Sequence, residues 1–251
     1  MVLFQSFHYI CPVLYFYKHS IVFKPKEPTI VLKVRLIIFD FDGTLADTYP
    51  WFMGVINRAA DHFKLKKIDV SDLDSVRAES TKKMIKRFGI PLWKIQLIAR
   101  RVRQWMGDDI DEIHLFRGVR DLLISLHERG TSLAILTSNS CANVRRVLGP
   151  ELTGCITYWE CDVSMSGKRR RMKKILRRSG IPPEHCLAVG DEIRDFQAAH
   201  KAGIPFGGVA WGYNSMEALA AHGASRIFGS IDEMISFLLE PAGMAGDGKS
   251  D

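Results

Sequence analysis

Short apolar runs alternate with stretches of helical periodicity from Val34 to about residue 239. The first run, residues 36–39, reads Leu-Ile-Ile-Phe and predicts a buried parallel strand, because such strands are apolar on both faces. After residue 117 the alternation is regular. It predicts helices at 118–129, 141–148, 169–179, 194–202, 215–222 and 231–239, and strands at 132–137, 155–159, 186–189, 206–211 and 226–228. The pattern predicts an α/β fold, a Rossmann-like doubly wound parallel sheet with helices on both faces.

The segment 47–110 interrupts this alternation, because it contains helical periodicity and no strand signal. Ser71, followed by Asp74 three residues later, is typical of a helix start, and Pro91 predicts the start of another helix. The segment therefore predicts a small helical subdomain inserted into the sheet domain. The sheet domain itself would comprise residues 34–46 and 111–239.

The two ends of the chain are predicted to lie outside this fold. Residues 1–33 include an uncharged, aromatic-rich stretch that lacks the basic start of a signal peptide and falls short of the about 20 apolar residues of a membrane span. A membrane anchor remains the alternative for that stretch. Residues 240–251 contain little to bury, so we expect a mobile tail.

Composition narrows the class of protein. Of 251 residues, 47% are hydrophobic and 25% charged, values typical of a globular domain and not of a collagen-like or disordered chain. The five cysteines include no Cys-x-x-Cys pair, so we expect reduced thiols and a cytoplasmic location rather than a disulfide framework. The net charge of +7 permits acidic ligands without requiring them.

Polar residues that suit phosphoryl transfer follow several predicted strands. In open α/β sheets, ligands bind at the carboxyl ends of the strands. A carboxylate there can act as nucleophile and a second carboxyl can transfer protons, while carboxylate oxygens also suit Mg²⁺. A hydroxyl and a lysine can neutralise phosphoryl oxygens. The candidate residues are Asp40, Asp42, Thr137, Ser138, Lys168, Asp191 and Asp195.

Four short motifs in order resemble those of the haloacid dehalogenase-like hydrolase superfamily, in its phosphoglycolate-phosphatase-like branch. They are DFDGTLADT at 40–48, LTSNS at 136–140, GK at 167–168 and GDEIRD at 190–195. The resemblance extends over roughly residues 34–237. It implies a magnesium-dependent phosphatase whose helical segment 47–110 is a cap that opens and closes over the site.

The resemblance also implies a role for each candidate residue. Asp40 would be the nucleophile, and Asp42 the general acid and base. Asp40, Asp42 (through its backbone carbonyl) and Asp191 would hold Mg²⁺. Thr137, Ser138 and Lys168 would bind the phosphoryl group, and Asp195 would be a supporting carboxylate. Asp42 favours phosphate esters over haloacids, because a departing halide needs no proton.

Two alternatives remain open from the sequence. A phosphomutase of the same superfamily would carry the same motifs. A nucleic-acid-binding protein could use the basic helix 168–178, but no stacking aromatic residues accompany that helix, so we do not expect nucleic acid as a partner. The expected partner is a small phosphorylated metabolite, with no membrane involved. The residues do not predict which metabolite, or the oligomeric state.

Overall fold

Nine α-helices and eight strands form the part of the chain that a computed structural model describes, residues 34–67, 69, 77–164, 166–224 and 226–239. The helices are α1 (Tyr49–Phe63), α2 (Thr81–Arg87), α3 (Leu92–Asp108), α4 (Val119–Glu128), α5 (Cys141–Cys155), α6 (Lys168–Ser179), α7 (Ile193–Ala202), α8 (Met216–Ala221) and α9 (Ile231–Leu239). Single 3₁₀ turns span Ile110–Glu112 and Pro183–His185. The extension 1–33, the helix start at Ser71 and the tail 240–251 lie outside the described residues.

Six parallel strands form the central sheet, in the order β5-β4-β1-β6-β7-β8. The strands of this sheet are β1 (Leu36–Phe39), β4 (Ser132–Leu136), β5 (Tyr158–Glu160), β6 (Cys186–Gly190), β7 (Phe206–Val209) and β8 (Arg226–Phe228). From β1 the chain adds β4 and β5 on one side, and then returns to add β6, β7 and β8 on the other. The direction of winding therefore reverses between β1 and β6, which is where ligands bind in such sheets.

Alternate residues of the buried strands face two separate apolar cores. Ile37 and Phe39 face the core that α4, α5 and α9 cover, whereas Leu36 and Ile38 face the core under α6, α7 and α8. All four residues are essentially inaccessible, as expected for a parallel strand covered on both faces. The predicted fold class, a doubly wound parallel sheet, is confirmed.

Helices α1 to α3 lie in the inserted segment, and α1 and α3 pack against the first core. Trp51 and Val55 of α1, together with Trp105 and Met106 of α3, join the same buried cluster as the β1 side chains. At the base of the insertion, β2 (Ala46–Asp47) pairs antiparallel with β3 (His114–Leu115). The sequence carries no strand signal here, because two-residue strands are too short to show a period.

The region around Gly149 differs from the sequence prediction. The predicted stop at residue 148 is a kink: Gly149 leaves helical geometry at φ 71°, and Pro150 starts a further helical stretch that reaches Cys155. Proline suits this position because its missing N–H is not needed in the first turn of a helix. The following strand consequently begins at Tyr158 rather than at the predicted residue 155.

A disulfide joins Cys141 and Cys161, so the prediction of reduced thiols was wrong for this pair. Their separation of 20 residues carries no motif. The sheet brings them together, because Cys141 comes shortly after β4, Cys161 directly follows β5, and these strands are neighbours. Cys155 and Cys186 are buried free thiols. Within the described residues, no helix is long and apolar enough to cross a bilayer.

Loss of the disulfide is expected to lower the free energy of unfolding. Closing a loop of about 20 residues restricts the unfolded chain, an effect worth ~3 kcal/mol. We expect Cys141→Ser to lower the urea midpoint accordingly, and a thiol reductant to lower it equally in the unmodified protein. The reductant should leave the midpoint of Cys141→Ser unchanged. An unmodified protein whose urea midpoint does not respond to reductant would contradict the pairing.

Candidate active site

The loop after β1 places two carboxylates at the point where the sheet reverses its winding. The Asp40 N–H donates to the Val189 carbonyl at 2.9 Å, which extends the β1–β6 pairing by one residue. The chain then turns sharply, with the Phe41 carbonyl accepting from the N–H groups of Thr44, Leu45 and Ala46. This turn directs the backbone back toward the sheet and keeps Asp40 and Asp42 beside the end of β1.

Lys168 bridges two of the predicted carboxylates. It starts α6, is 2% exposed, and donates from Nζ to Asp40 Oδ2 at 2.6 Å and to Asp195 Oδ1. Burial lowers the pKa of Lys168, but the charges of Asp195 and Asp40 raise it by more, so its net pKa lies above the usual value and the ammonium stays charged. Asp40 Oδ1 accepts the N–H of Phe41 at 2.8 Å, which leaves both of its oxygens oriented.

Asp191 lies at the end of β6 and is fully buried. Its carboxylate accepts the Thr44 hydroxyl at 2.9 Å on Oδ1 and the Tyr213 N–H at 2.8 Å on Oδ2. Burial, followed by the negative charges of Glu192 and Asp40, raises the pKa of Asp191 well above its usual value. A carboxylate in this position is therefore costly unless a cation compensates it.

The residues present fit a divalent cation. Carboxylate oxygens of Asp40, Asp191 and Asp195 lie within 4.8 Å of one another, and all three residues are buried. Three carboxylates against the one ammonium of Lys168 leave a charge of −2, which a divalent ion would balance. Oxygen donors of this type are those that Mg²⁺ prefers. Asp195, predicted as a supporting residue, contributes a carboxylate to this trio. Asp42 was predicted to hold Mg²⁺ through its backbone carbonyl rather than its side chain, and that role stays a prediction.

Asp42 lies beside the three carboxylates that fit a cation, and side chains of the loop that follows β4 hold it in place. Asn139 donates from Nδ2 to Asp42 Oδ1 at 3.0 Å, and the Thr137 hydroxyl donates to Oδ2 over 3.4 Å. Asp42 is half-buried and lines a cavity. Burial, followed by the charge of Asp40, raises the pKa of Asp42 from 3.8 to about 7.

A cavity of about 350 Å³ opens beside Asp42, between the inserted helices and the strand ends. Asp42, Ser138 and Asn139 form part of its wall on the sheet side. The opposite walls come from α1, α2 and α3, which supply mainly apolar side chains. The structure therefore brings all seven predicted residues to one edge of the sheet, with a partly open cavity next to them.

Comparison with known proteins supplies the family. The family model described as haloacid dehalogenase-like hydrolase matches residues 37–209. A phosphoglycolate phosphatase of Synechococcus elongatus is 34% identical over 189 residues, which is 75% of this chain and 89% of that protein. This chain belongs to the haloacid dehalogenase-like hydrolase family, and it is a phosphatase. The predicted resemblance to the phosphoglycolate-phosphatase-like branch is confirmed.

This phosphatase is also similar to a second curated protein in sequence and to a solved crystal structure in fold. A 5'-nucleotidase of Pseudomonas aeruginosa is 26% identical over 211 residues, covering 76% of this chain and 89% of that protein. The crystal structure of a predicted phosphatase from Clostridium acetobutylicum superposes with a TM-score of 0.69 at 22% identity, covering 82% of this chain and 98% of that one. The structural match supports the fold of the phosphatase.

Several polar residues around the phosphatase site were not singled out from the sequence. Asn139 stands within the quoted LTSNS motif, so its contact with Asp42 could have been anticipated. The side chains of Glu192 and Arg194 pair at 2.6 Å at the start of α7, and both line the cavity. The N–H of Tyr213 donates to Asp191, a contact that none of the four motifs predicts.

A strap from the inserted segment, residues 77–81, fastens onto the core of the phosphatase next to the site. The Thr81 hydroxyl donates to Glu192 Oε2 at 2.9 Å, and Arg77 donates to the Gly212 carbonyl at 2.8 Å. In return, Asn214 donates to the carbonyls of Arg77 and Glu79, each at 2.9 Å. The insertion is thus in contact with the loops that follow β6 and β7.

Much of the basic helix α6 pairs with a carboxylate of the protein itself. Glu160, 3% exposed, lies 2.8 Å from Arg171, 2.7 Å from Lys174 and 3.7 Å from Arg178, all N–O distances. Lys168 points into the site. Four of the eight cations of this helix, which the nucleic-acid alternative would use, therefore contact buried carboxylates.

Gly43 is expected to tolerate no side chain. Its φ is +73°, and a Cβ there would lie 2.5 Å from Asp191 Oδ2 and 2.6 Å from the Tyr213 ring. We expect Gly43→Ala to lower kcat/KM for p-nitrophenyl phosphate at least tenfold and the free energy of unfolding by about 1–2 kcal/mol. Gly54→Ala is the matched control, because a Cβ at that helical position meets nothing within 4 Å. Equal behaviour of the two variants would show that the turn does not depend on glycine.

Proposed function

We propose that this phosphatase hydrolyses a small phosphomonoester in a magnesium-dependent reaction that passes through an aspartyl-phosphate on Asp40. The observation that carries the proposal is the buried arrangement of Asp40, Lys168, Asp191 and Asp195, with Asp42 alongside at the mouth of the cavity. Buried, unbalanced carboxylates are expensive for a fold to keep, so their concentration at the end of β1 indicates a chemical task.

Asp40 suits the role of nucleophile because its carboxylate is held from both sides. Lys168 binds one oxygen and the Phe41 N–H the other, which restricts the side chain to one orientation. In the first step, a carboxylate oxygen of Asp40 forms a bond to phosphorus, and the bond from phosphorus to the ester oxygen breaks. The departing oxygen keeps the electron pair.

Asp42 suits proton transfer because it lines the cavity in which the leaving group would lie. Its two oxygens are oriented by Asn139 and Thr137. As general acid, Asp42 gives its proton to the departing ester oxygen. As general base, it then takes a proton from water, whose oxygen attacks the phosphorus of the aspartyl-phosphate and restores the Asp40 carboxylate.

The remaining predicted residues would balance phosphoryl charge. The ammonium of Lys168, the hydroxyl of Thr137 and Ser138 in the cavity wall are the proposed phosphate-binding groups. Asp40, Asp191 and Asp195 would hold Mg²⁺, which when bound supplies a positive charge that neutralises both the carboxylates and the phosphoryl oxygens. Fixed donors of this kind need no rearrangement as charge develops on the phosphoryl group.

Phosphatase and phosphomutase chemistry differ in the fate of the phosphoryl group. The relatives named above as a phosphoglycolate phosphatase and a 5'-nucleotidase support hydrolysis, and their names differ in the leaving group. Release of inorganic phosphate from simple monoesters, without a sugar-bisphosphate activator, is the expected behaviour. Dependence on such an activator would favour the phosphomutase instead.

Removal of the cation or of Asp191 should abolish turnover. Asp191→Asn replaces a charged oxygen ligand by a neutral one, so we expect at least a hundredfold loss of kcat and a higher Mg²⁺ concentration for half-activation. The matched control is Asp121→Asn on α4, whose side chain is 82% exposed and remote from the site; it should behave as the unmodified enzyme. Turnover by the unmodified enzyme that persists in excess EDTA would contradict the magnesium assignment.

Asp40→Asn and Asp42→Asn should fail at different steps. Asp40→Asn lacks the nucleophile and should form no covalent intermediate. Asp42→Asn keeps the nucleophile, and p-nitrophenolate leaves without help from an acid, so this variant should give a stoichiometric burst followed by turnover slowed about 10²–10⁴-fold. Rapid-quench kinetics and mass spectrometry of the peptide containing Asp40 measure both effects. A phosphoryl adduct on another residue, or an active Asp40→Asn enzyme, would overturn the mechanism.

A further inference from the structure

We propose that the substrate of this phosphatase carries an extended apolar group on its leaving alcohol, which the cavity between the inserted helices and the sheet encloses. The inference rests on the proposed function and adds the class of substrate: an alkyl or aryl phosphomonoester rather than the phosphate of a two-carbon hydroxy acid. Four observations on the cavity support it.

The first observation is the chemistry of the cavity wall. Each of the described helices of the insertion, α1, α2 and α3, contributes apolar side chains to the wall. They include Phe52 and Ile56 of α1, Met84 and Ile85 of α2, and Ile98 and Val102 of α3. An alkyl or aryl group placed among them would leave water for an apolar surrounding, which is favourable in proportion to the apolar area removed from water.

The second observation is that the cavity is continuous with the reacting groups. Asp42, the proposed proton donor to the leaving oxygen, lines the same space as Ile98 and Val102, and so do Ser138 and Asn139. A phosphoryl group beside Asp40 would therefore direct its leaving alcohol past Asp42 and toward the apolar wall. The cavity has a polar end for the phosphate and an apolar end for the remainder of the substrate.

The third observation concerns charge. The phosphate of a two-carbon acid carries a carboxylate that needs a cation in the cavity, and carboxylates of the protein already pair with two of the three arginines among the described lining residues, Arg103 and Arg194. Arg77 donates to a backbone carbonyl and keeps a buried Nε without a partner, so it is the arginine that such a carboxylate could still reach. Lys66, the lysine among these lining residues, is exposed to solvent. The arginine contacts are Arg77 to the Gly212 carbonyl at 2.8 Å, Arg103 to the Ser138 carbonyl at 3.1 Å and to Asp162 at 3.3 Å, and Arg194 to Glu192 at 2.6 Å.

The fourth observation is size. The volume of about 350 Å³ falls at the lower end of the range, about 300–1,000 Å³, of pockets that enclose ligands of many heavy atoms. A two-carbon leaving group would fill a small part of it and leave apolar walls in contact with water. A chain of four to eight carbons, or one aromatic ring with a short linker, matches the space better.

A homologous series of substrates tests this inference. Methyl, butyl and hexyl phosphate have leaving alcohols of nearly equal basicity, so differences in kcat/KM report contacts with the chain rather than reactivity. We expect kcat/KM to rise by up to about fourfold for each methylene, the factor that ~0.8 kcal/mol corresponds to. 2-Phosphoglycolate should be a poorer substrate than hexyl phosphate.

A pair of neighbouring variants on α3 separates the cavity from a general preference for apolar esters. Ile98 lines the cavity, whereas Leu97 is 51% exposed and is absent from its wall. Ile98→Gln should lower the ratio of kcat/KM for hexyl to methyl phosphate at least tenfold. Leu97→Gln should leave this ratio unchanged, and thermal unfolding of both variants checks that they fold.

The outcomes distinguish the inference from the proposed function. Hydrolysis of all esters with no dependence on chain length, or with 2-phosphoglycolate as the preferred substrate, would overturn the apolar substrate class and leave the phosphatase mechanism standing. Equal ratios for Ile98→Gln and Leu97→Gln would remove the cavity as the source of the preference. Failure to hydrolyse any ester in the presence of Mg²⁺ would overturn both.

Discussion

The buried contact of Lys168 with Asp40 and Asp195 joins three separate parts of the sheet domain. Asp40 follows β1, Asp195 lies in the first turn of α7 after β6, and Lys168 starts α6 after β5. Removing one partner of such a buried group typically costs about 3–5 kcal/mol, because the other charge is left unpaired. The lysine therefore holds the strand ends in register as well as facing the site, and its two roles are inseparable.

The positive charge of Lys168 does not balance the negative charge of the carboxylates around it. Asp191 adds a third carboxylate beside Asp40 and Asp195, and one ammonium cannot compensate all three. The backbone packs closely against these groups: a Cβ at Gly212 would lie 2.1 Å from the Asp191 side chain, and one at Gly190 would lie 2.8 Å from Asp195. The fold thus keeps three carboxyl groups in a rigid and desolvated position, where burial raises the pKa of Asp191 and Asp195. A bound cation would offset the cost of their ionised forms.

The inserted helices complete the site by a different kind of interaction. On the sheet side the contacts are charged and short, whereas α1 to α3 contribute an apolar wall and few fixed polar groups. The strap at residues 77–81 connects the two regions, through Thr81 to Glu192 and through Asn214 to backbone carbonyls. In the proposed reaction, the sheet edge would carry out the chemical step and the insertion would select the leaving group.

The alternation of apolar runs and helical periods was sufficient to predict the fold class, because a parallel strand buried on both faces must be apolar throughout, as residues 36–39 are. The position of polar residues directly after strands was sufficient to bring Asp40, Asp42, Thr137 and Asp191 together, because parallel strands end at one edge. The sequence did not predict the kink at Gly149 or the pairing of β2 with β3. Both features are too short to produce a hydrophobic period.

Only the tertiary structure decided which side chains that are distant in the chain come into contact. The spacing of Cys141 and Cys161 is uninformative until β4 and β5 lie side by side, and the place of Asp195 against Lys168 depends on the packing of α7 beside α6. The cavity is the clearest case, since its walls come from three helices whose apolar residues look alike, in sequence, to those of a filled core. A helical period predicts which face is apolar, but whether that face meets another side chain or an open space depends on how the helices pack.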